Sequence, residues 1–320
     1  MRESTPGADE PPRDGAPPHH RGVARRPPAT VSIDLDSAAT HLRGYGERPS
    51  PGDALLEVAL PRLLQLLDGL RIRATLFVVA GDAPSDGLLR EAADRHEIAA
   101  HSVTHPMPFA LLDPSRLEGE VRDAKAWLEQ RLDGRVNGFR APNWDTGPAV
   151  WRALAAAGYR YDASLLPTPW QVAIRAVLAL GARSLRPLVA MRPVPAGWGR
   201  LPHLQQTDRG AIWQFPVATT PRIRFPIYHT VRYRMSNHRF EHTVAALAAR
   251  GEPFSYAFHA VDLVALDDVG IPSSLRRHPG MNIELDAKLA LVRASLASVS
   301  EHFRTVSYID QVTEMEGGCR

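Results

Sequence analysis

Apolar positions recur with two different periods along this chain. Residues 29–36, ATVSIDLD, are apolar at every second position, which predicts a strand that ends in acidic residues. Residues 53–70, DALLEVALPRLLQLLDGL, carry leucines at helical spacing, which predicts a helix with Asp53 as its N-cap and Gly69 as its end. The polar stretch between them, up to Gly52, is predicted as a loop.

The same alternation of strand and helix patterns continues to the end of the chain. Further strands are predicted at residues 73–81, 97–100, 136–142, 159–164, 211–218, 254–260 and 304–309. Further helices are predicted at residues 85–96, 115–132, 147–159, 240–250 and 284–303. Strands that alternate with helices indicate an α/β fold with a mostly parallel sheet, either open or closed into a barrel.

The pattern also divides the chain into regions. Residues 1–28 are rich in Pro, Gly, Arg and acidic residues and have almost no large apolar side chains, so we expect a disordered tail. Residues 29–314 are predicted to form a single catalytic domain. An insertion at about 167–210, rich in Pro and Trp, interrupts the alternation, and residues 315–320 are expected to be a flexible tail.

Within the insertion, the stretch PWQVAIRAVLALGARSLRP predicts an amphipathic helix. Its apolar face would consist of Trp170, Ile174, Val177, Leu178 and Leu185, and its basic face of Arg175, Arg183 and Arg186. Two interpretations remain open. The helix could pack against the domain, or it could lie on an anionic membrane surface at the cytoplasmic face.

Composition excludes several kinds of chemistry. The net charge is only +3, and no run of Lys and Arg with interleaved aromatic residues occurs, so nucleic-acid binding is not expected. The chain has two lysines and no phosphate-binding P-loop motif. Its one cysteine, Cys319, excludes an internal disulfide and a Cys-rich zinc module. Catalysis would therefore depend on His, Asp, Glu, Arg, Ser or Tyr.

The sequence also carries no sign of a membrane span or of secretion. No stretch of 18 apolar residues is present, and the N-terminal region lacks the apolar core of a signal peptide. We therefore expect a cytoplasmic location, with peripheral contact at the inner membrane face if the amphipathic helix binds lipid.

Chemically useful residues follow the predicted strands. Asp34 and Asp36 lie two apart in SIDLD, so their side chains point to the same side of the strand. His101 and His105 lie four apart in HSVTHP, directly after another strand. Each alone has an ordinary structural explanation, but Asp36, His101 and His105 together form a set that leaves coordination positions open on a divalent metal. That arrangement is typical of catalytic metal sites.

Three later motifs add to this set: Arg140 in GFRAPNW, Asp162 in YDAS and His259 in AFHAVDL. In order and spacing, all these residues resemble the five motifs of the polysaccharide deacetylase (NodB-like) family, over about residues 30–312. The resemblance implies a distorted (β/α) barrel of about seven strands. It also implies an enzyme that removes N- or O-acyl groups from sugars with one divalent metal ion.

The resemblance further implies a role for each residue. The Asp-His-His set would hold the metal, with zinc expected ahead of cobalt or nickel. Asp34 would be the general base, Arg140 would orient it, His259 would be the general acid, and Asp162 would hold or charge His259. The metal would polarise the acyl oxygen, and a backbone N–H near Asn143 would help to stabilise the oxyanion.

Some positions depart from the usual family pattern. The first motif is Asp-x-Asp instead of adjacent aspartates, Ala257 replaces a usual Leu, and Asn143 replaces a usual Tyr. The Asp-x-Asp form resembles a branch that includes some peptidoglycan deacetylases, allantoin and cyclic-imide hydrolases, and the deformylase of lipid-linked aminoarabinose. The substrate is therefore open.

Three functions are compatible with these motifs. The first is a metal-dependent hydrolase that removes an acetyl or formyl group from an amino sugar or glycoconjugate, including a lipid-linked precursor. The second is a metal-free hydrolase of ureides or cyclic imides from the same branch. The third is a glycan-binding protein that has lost catalysis. The sequence does not determine the oligomeric state.

Overall fold

The structure is a computed structural model that describes residues 26–47, 53–173, 176 and 199–318. Its strands are β1 (Pro28–Leu35), β2 (Thr75–Val78), β3 (Glu97–Ala100), β4 (Gly138–Phe139), β5 (Tyr161–Asp162), β6 (His203–Thr207), β7 (Gly210–Gln214), β8 (Phe254–His259) and β9 (Arg304–Thr305). Its helices are α1 (Ala38–Tyr45), α2 (Leu55–Leu70), α3 (Asp86–Ala93), α4 (Pro114–Leu132), α5 (Pro148–Ala156), α6 (His229–Arg232), α7 (Asn237–Ala248), α8 (Leu285–His302) and α9 (Tyr308–Gly317).

All nine strands belong to one sheet. Its order is β6-β7-β5-β4-β3-β2-β1-β8, and the short β9 pairs with the start of β1. The seven strands from β7 to β8 are parallel to their neighbours, and β6 is antiparallel to β7. In the described part of the chain, β6 and β8 are the free edges, so the sheet is a curled half-barrel. The predicted α/β fold with about seven parallel strands is confirmed.

Strand β1 lies next to the edge strand β8 and pairs with β2 on its other side. From Ala29 to Leu35 every residue is buried, because strands of a parallel sheet are covered on both faces. Pairing aligns Asp34 with His259 of β8. Since the strands run in one direction, the residues that follow β1, β3, β4 and β8 all meet at the same edge of the sheet.

Helix α2 covers the sheet with the leucine face that the sequence predicts. The buried leucines of this face are Leu56, Leu60, Leu63, Leu64 and Leu67. The ends of the helix differ from the prediction. Asp53 does not cap the helix as its N-cap residue, although it accepts a hydrogen bond from the Leu55 N–H at 3.1 Å and another from the Ala39 N–H at 2.7 Å. The helix continues past Gly69 and ends at Leu70, and Arg71 caps it with a left-handed backbone conformation (φ 53°).

Two short helices replace features that the sequence pattern predicted differently. Helix α1 lies in the region predicted as a loop, and Ser37 caps it by accepting a hydrogen bond from the Thr40 N–H at 3.0 Å. Near the C-terminus only Arg304–Thr305 form a strand, since Ser307 and Asp310 build a capping box that starts α9. Residues 315–317, predicted as part of a flexible tail, belong to this helix.

The described parts of the insertion pack against the domain. Strands β6 and β7 form a hairpin that extends the sheet beyond β5. Trp170 donates a hydrogen bond from Nε1 to the Ile223 carbonyl at 2.8 Å, and its ring meets Phe225 edge-on at 6.3 Å. Most of the predicted amphipathic helix lies outside the described residues. Among those that are described, no helix is both long and apolar enough to cross a membrane.

Candidate metal centre and active site

A cavity of about 640 Å³ opens at the carboxyl edge of the sheet. Five of the residues singled out from the sequence line it together: Asp34, Asp36, His101, His105 and His259. They come from the ends of three different strands and the loop that follows one of them, so the parallel arrangement of the sheet is what brings them to one place.

Asp36, His101 and His105 converge on a common point. Their ligand atoms lie within 4.8 Å of one another. Asp36 Oδ1 is 3.6 Å from His101 Nε2 and 3.7 Å from His105 Nε2, which is too long for good hydrogen bonds. Within the described residues this buried Oδ1 has no hydrogen-bond partner. Because buried carboxylate oxygens are nearly always paired, the three side chains fit a divalent cation between them.

His101 is oriented by the backbone of the neighbouring strand. Its Nδ1 lies 2.6 Å from the Arg140 carbonyl oxygen, so Nδ1–H donates there and the Nε2 lone pair faces Asp36. An outer hydrogen bond of this kind sets the tautomer of metal-binding histidines and raises their basicity.

His105 reaches the site through a tightly folded loop rather than a helical turn. Ser102 and His105 both have left-handed backbone conformations, with φ of 68° and 52°. The buried Glu120 of α4 holds the loop by accepting hydrogen bonds from the N–H groups of Val103 and Thr104, at 2.8 and 2.9 Å. The four-residue spacing of the two histidines therefore works here through loop geometry.

The protonation states favour metal binding. Burial lowers the pKa of His105 to about 4, so its ring is neutral near pH 7. For Asp36, burial alone would raise the pKa, but the adjacent His105 and His101 bring it below its ordinary value. The set therefore offers one carboxylate and neutral imidazole at neutral pH, which are the forms that bind a metal.

Arg140 lies directly beneath the site and is fully buried. Its Nη1 donates to Asp34 Oδ1 at 2.5 Å, its Nη2 to Ser32 Oγ at 2.8 Å, and its Nε to the Ala163 carbonyl at 3.1 Å. The guanidinium also stacks over the Phe77 ring at 4.1 Å. Burial opposes the charge, but Asp34 raises the pKa of Arg140 overall. The structure thus places Arg140 where it can orient Asp34.

The second oxygen of Asp34 faces the cavity. Oδ2 lies 4.0 Å from His101 Nε2 and 3.6 Å from His259 Nε2. Asp34 is therefore between the metal-binding set and His259. The His259 side chain is 19% exposed, whereas those of Asp34 and His101 are almost fully buried. Of the three, His259 is the one most open to a bound substrate.

The structure corrects the expected partnership of Asp162 with His259. In the described chain, Asp162 accepts hydrogen bonds from the backbone N–H and the hydroxyl of Ser164 and from the Thr146 hydroxyl. The Ser164 hydroxyl in turn accepts from the Ala141 N–H at 2.7 Å. Burial raises the pKa of Asp162 to about 6. The reason is topological, because β5 and β8 are separated by four strands of an open sheet. Asp162 instead supports the segment that carries Arg140.

The acid that holds His259 is Asp262. Its Oδ2 accepts a hydrogen bond from the His259 backbone N–H at 2.9 Å, and its Oδ1 accepts one from the Tyr233 hydroxyl at 2.6 Å. Sequence reasoning missed this residue, although the motif AFHAVDL contains both His259 and Asp262. Asp262 lies three residues after His259, the spacing of a helix-capping box, and this spacing could have indicated the hydrogen bond between them.

Sequence reasoning also missed two histidines of the cavity. His41 of α1 lies with its ring 6.2 Å from the ring of His259 and 4.6 Å from that of His278. Tyr45 is 3.0 Å from His278, between the hydroxyl and Nδ1. The N-cap signal of Ser37 ahead of AATHL was the one local sign that a helix would carry His41 into the site.

Asn143, whose backbone N–H was expected to face the acyl oxygen, does line the cavity. It has a left-handed conformation with φ of 60°, in the short helical turn Pro142–Trp144 that follows β4. Its role in stabilising an oxyanion stays a prediction.

Three side chains that could hold a metal ion lie beside an oriented carboxylate at the carboxyl edge of a parallel half-barrel, an arrangement suited to hydrolysis. Residues 52–161 match the family model for polysaccharide deacetylase. The match confirms the resemblance that the motifs predicted, and with it the enzyme class, a hydrolase of the deacetylase type. It covers His101, His105 and Arg140, whereas Asp34, Asp36 and His259 lie outside it. Among curated proteins, none matches the chain.

Solved structures share the fold over nearly the whole chain. A protein from Mycobacterium smegmatis assigned as a polysaccharide deacetylase is 15% identical, with a TM-score of 0.60 and 95% of each chain covered. One from Pseudomonas aeruginosa PAO1 with the same assignment is also 15% identical, with a TM-score of 0.57, covering 94% of this chain and 97% of that one. A PuuE allantoinase is 16% identical, with a TM-score of 0.60, covering 97% and 98%. These likenesses establish the fold.

Proposed function

We propose that the protein is a metal-dependent hydrolase that removes an N-acyl group, acetyl or formyl, from an amino sugar or a glycoconjugate, including a lipid-linked precursor. The observation that carries the proposal is the unpartnered Oδ1 of Asp36, which faces two imidazole nitrogens beside the Asp34–Arg140 pair. Zinc is the proposed metal, because two imidazoles and one carboxylate are a donor set typical of catalytic zinc.

A divalent metal bound by Asp36, His101 and His105 would polarise the scissile carbonyl and make a nearby water more acidic. The other steps fall to the chain itself. Arg140 occupies Oδ1 of Asp34, so Oδ2 is left to accept the proton of the attacking water. The water oxygen bonds to the acyl carbon and the carbon–nitrogen bond breaks.

The leaving nitrogen needs a proton before it can depart as an amine. His259 is suited to supply it, since its Nε2 lies 3.6 Å from Asp34 Oδ2 and its ring is open to the cavity. Asp262 accepts a hydrogen bond from the His259 backbone and fixes the turn that presents the ring. The products are the carboxylic acid and the free amine.

The alternative is a metal-free hydrolase of ureides or cyclic imides. It is kept because a PuuE allantoinase has the same fold with the same TM-score as one of the proteins assigned as polysaccharide deacetylases. The convergent Asp-His-His set favours the metal-dependent reaction, because without a cation it leaves a buried carboxylate oxygen unpaired.

A substrate screen after metal removal tests the proposal. Protein stripped with a chelator should be inactive, and zinc, cobalt or nickel should restore release of acetate or formate from N-acyl amino sugars, offered free, nucleotide-linked and lipid-linked. Allantoin and cyclic imides serve as the comparison set. Turnover of those compounds by the stripped protein would support the alternative, and no turnover of any acylated sugar would reject the proposed function.

A further inference from the structure

The charges that line the cavity are unevenly distributed. Among the described residues of its lining, the only acidic ones are Asp34 and Asp36, at the metal-binding end. A further part of the lining is built by α1, by the residues directly after α6 and by the segment that follows Leu275. We call this part the distal wall; it consists of His41, Tyr45, Tyr233, Arg234, Arg276, Arg277 and His278.

The three arginines of the distal wall differ in their partners. Arg277 donates from Nη1 to Glu47 at 2.6 Å, so its charge is largely compensated. Arg234 and Arg276 are exposed, and neither forms an ion pair within the described residues. Two guanidinium groups are therefore available to a ligand in the cavity.

Packing holds the two segments that carry these arginines together. Gly280 has a left-handed backbone with φ of 85°, and a Cβ at this position would come within 2.5 Å of the Tyr233 ring. The loop therefore lies directly against the residue that precedes Arg234. The Tyr233 hydroxyl is itself bound to Asp262, so this contact also connects the distal wall to the segment that holds His259.

Neutral donors complete the distal wall. His41 Nε2 is buried and has no hydrogen-bond partner in the described chain. The Tyr45 hydroxyl and His278 Nδ1 lie 3.0 Å apart and hold each other in place. Burial lowers the pKa of both His41 and His278, so each ring is uncharged and can offer an N–H near neutral pH.

We propose that the distal wall binds a phosphate group of the substrate. The substrate class is then a phosphate-bearing N-acyl amino sugar: a sugar phosphate, a nucleotide-linked sugar or a polyprenyl-phosphate-linked sugar. Phosphate fits this wall because guanidinium groups bind its oxygens in pairs and imidazole N–H groups can bind the rest. This inference rests on the proposed function and specifies its substrate.

The same charge distribution would orient the substrate. The carboxylates of Asp34 and Asp36 are compensated by the proposed cation and by Arg140, whereas Arg234 and Arg276 have no ion-pair partner within the described residues, so a phosphate would be held at the distal wall. The acylated nitrogen of the same sugar would then face the metal-binding end. A neutral N-acyl sugar has no phosphate group and would not be oriented in this way.

Binding of the product analogue glucosamine 1-phosphate tests the subsite without requiring turnover. In titration calorimetry of the full chain with zinc, we expect it to bind about tenfold or more tighter than glucosamine. The double variant Arg234→Gln, Arg276→Gln should lose this difference and leave glucosamine binding unchanged. Arg239→Gln, an exposed arginine on α7, is the matched control and should behave as wild type.

The outcomes separate this inference from the proposed function. Equal affinity for the two sugars in wild type, or a difference that survives the double variant, would overturn the phosphate subsite even if neutral acyl sugars are hydrolysed. Selective phosphate binding with no hydrolysis of any acyl sugar would keep the subsite and reject the proposed reaction.

Kinetics with acylated substrates then identify the source of the phosphate. N-acetylglucosamine 1-phosphate, its nucleotide diphosphate form and a polyprenyl-phosphate form in vesicles are compared by kcat/KM with N-acetylglucosamine and with N-acetylmuramic acid, which carries a carboxylate. For the wild type, kcat/KM with one of the three phosphate forms should exceed kcat/KM with both phosphate-free sugars by about tenfold or more. The Arg234→Gln, Arg276→Gln double variant should lose this difference. A preference for the carboxylate sugar would overturn the assignment to phosphate.

Discussion

At the scale of single residues, the two aspartates at the end of β1 have different environments although they lie two positions apart. Asp34 is bound to Arg140 through one oxygen, at 2.5 Å. Asp36 has an oxygen that faces two imidazoles and has no hydrogen-bond partner among the described residues. The difference follows from position: Asp34 is the last but one residue of the strand and lies above Arg140, and Asp36 is the first residue beyond it.

The environment of Asp34 predicts that it acts on a proton and is not needed to hold the metal. Asp34→Asn should keep its shape and its contact with Arg140 but cannot accept a proton. We expect kcat to fall by about 10²- to 10⁴-fold, the range of lost general-base catalysis. Metal content measured on the same preparation should stay near wild type. Near-normal turnover would mean that the roles of Asp34 and Asp36 are exchanged.

The proposed metal ligands should show the opposite behaviour. His101→Ala and His105→Ala each remove one of three ligands, so both metal content and activity should be lost. The fold, followed by circular dichroism, should persist because neither ring fills the apolar core. His238→Ala, an exposed histidine of α7, is the control. Full metal occupancy in the double variant would contradict the assigned site.

At the scale of elements, the loop between β3 and α4 shapes the candidate metal centre. Glu120, near the N-terminal half of α4, accepts two backbone N–H bonds and the Thr104 hydroxyl from that loop. Two residues of the loop have positive φ. Such conformations are costly for residues other than glycine, so they need supporting contacts of this kind.

Removal of this support should weaken metal binding without removing a ligand. Glu120→Ala is expected to lower metal affinity by about 10- to 100-fold, as loss of an outer contact does at other metal sites. Glu118→Ala, two residues earlier on the exposed face of α4, is the matched control. Competition with a fluorescent chelator measures the metal affinity of both variants. Unchanged affinity in Glu120→Ala would show that the loop keeps its shape by itself.

At the scale of the whole molecule, the buried carboxyl group of Glu97 connects the first residues of two other strands to the last helix. Glu97 begins β3 and accepts hydrogen bonds from Thr75 of β2 at 2.8 Å and from the Tyr161 hydroxyl of β5 at 2.9 Å. It also accepts one from the Ile309 N–H of α9 at 3.2 Å. Burial raises the pKa of Glu97 from 4.5 to about 7.

This raised pKa predicts how stability changes with pH. The folded chain binds the Glu97 proton more tightly than the unfolded chain, so this contribution is complete below pH 4.5 and is lost as the pH rises to about 7. Glu97→Gln removes the ionisable carboxyl group, and with it this pH-dependent contribution. The change in unfolding free energy between pH 5 and 7.5 should then differ from wild type by roughly 1–3 kcal/mol.

Denaturant unfolding at several pH values measures this effect. The wild type should lose more stability than Glu97→Gln as the pH rises. Glu91→Gln, an exposed residue of α3, should follow the wild-type pH dependence. Parallel curves for wild type and Glu97→Gln would mean that Glu97 ionises at its ordinary pKa.

Much of the molecule follows from local sequence patterns. Alternating and helical periods predicted the order of most strands and helices and the leucine face of α2, because side-chain periodicity and burial are linked within each element. Asp36, His101 and His105 could be chosen as a set because ligand types and strand ends can both be read along the chain. The cytoplasmic location and membrane contact stay predictions.

The remainder depended on contacts between distant segments. The pairing of Asp34 with Arg140 and the separation of Asp162 from His259 follow from the order of the strands in the open sheet, which periodicity does not encode. His41 joins His278, more than two hundred residues away, only because α1 folds against the loop after Leu275. Local spacing determines which side chains leave each strand together, but only the tertiary fold decides which of them meet.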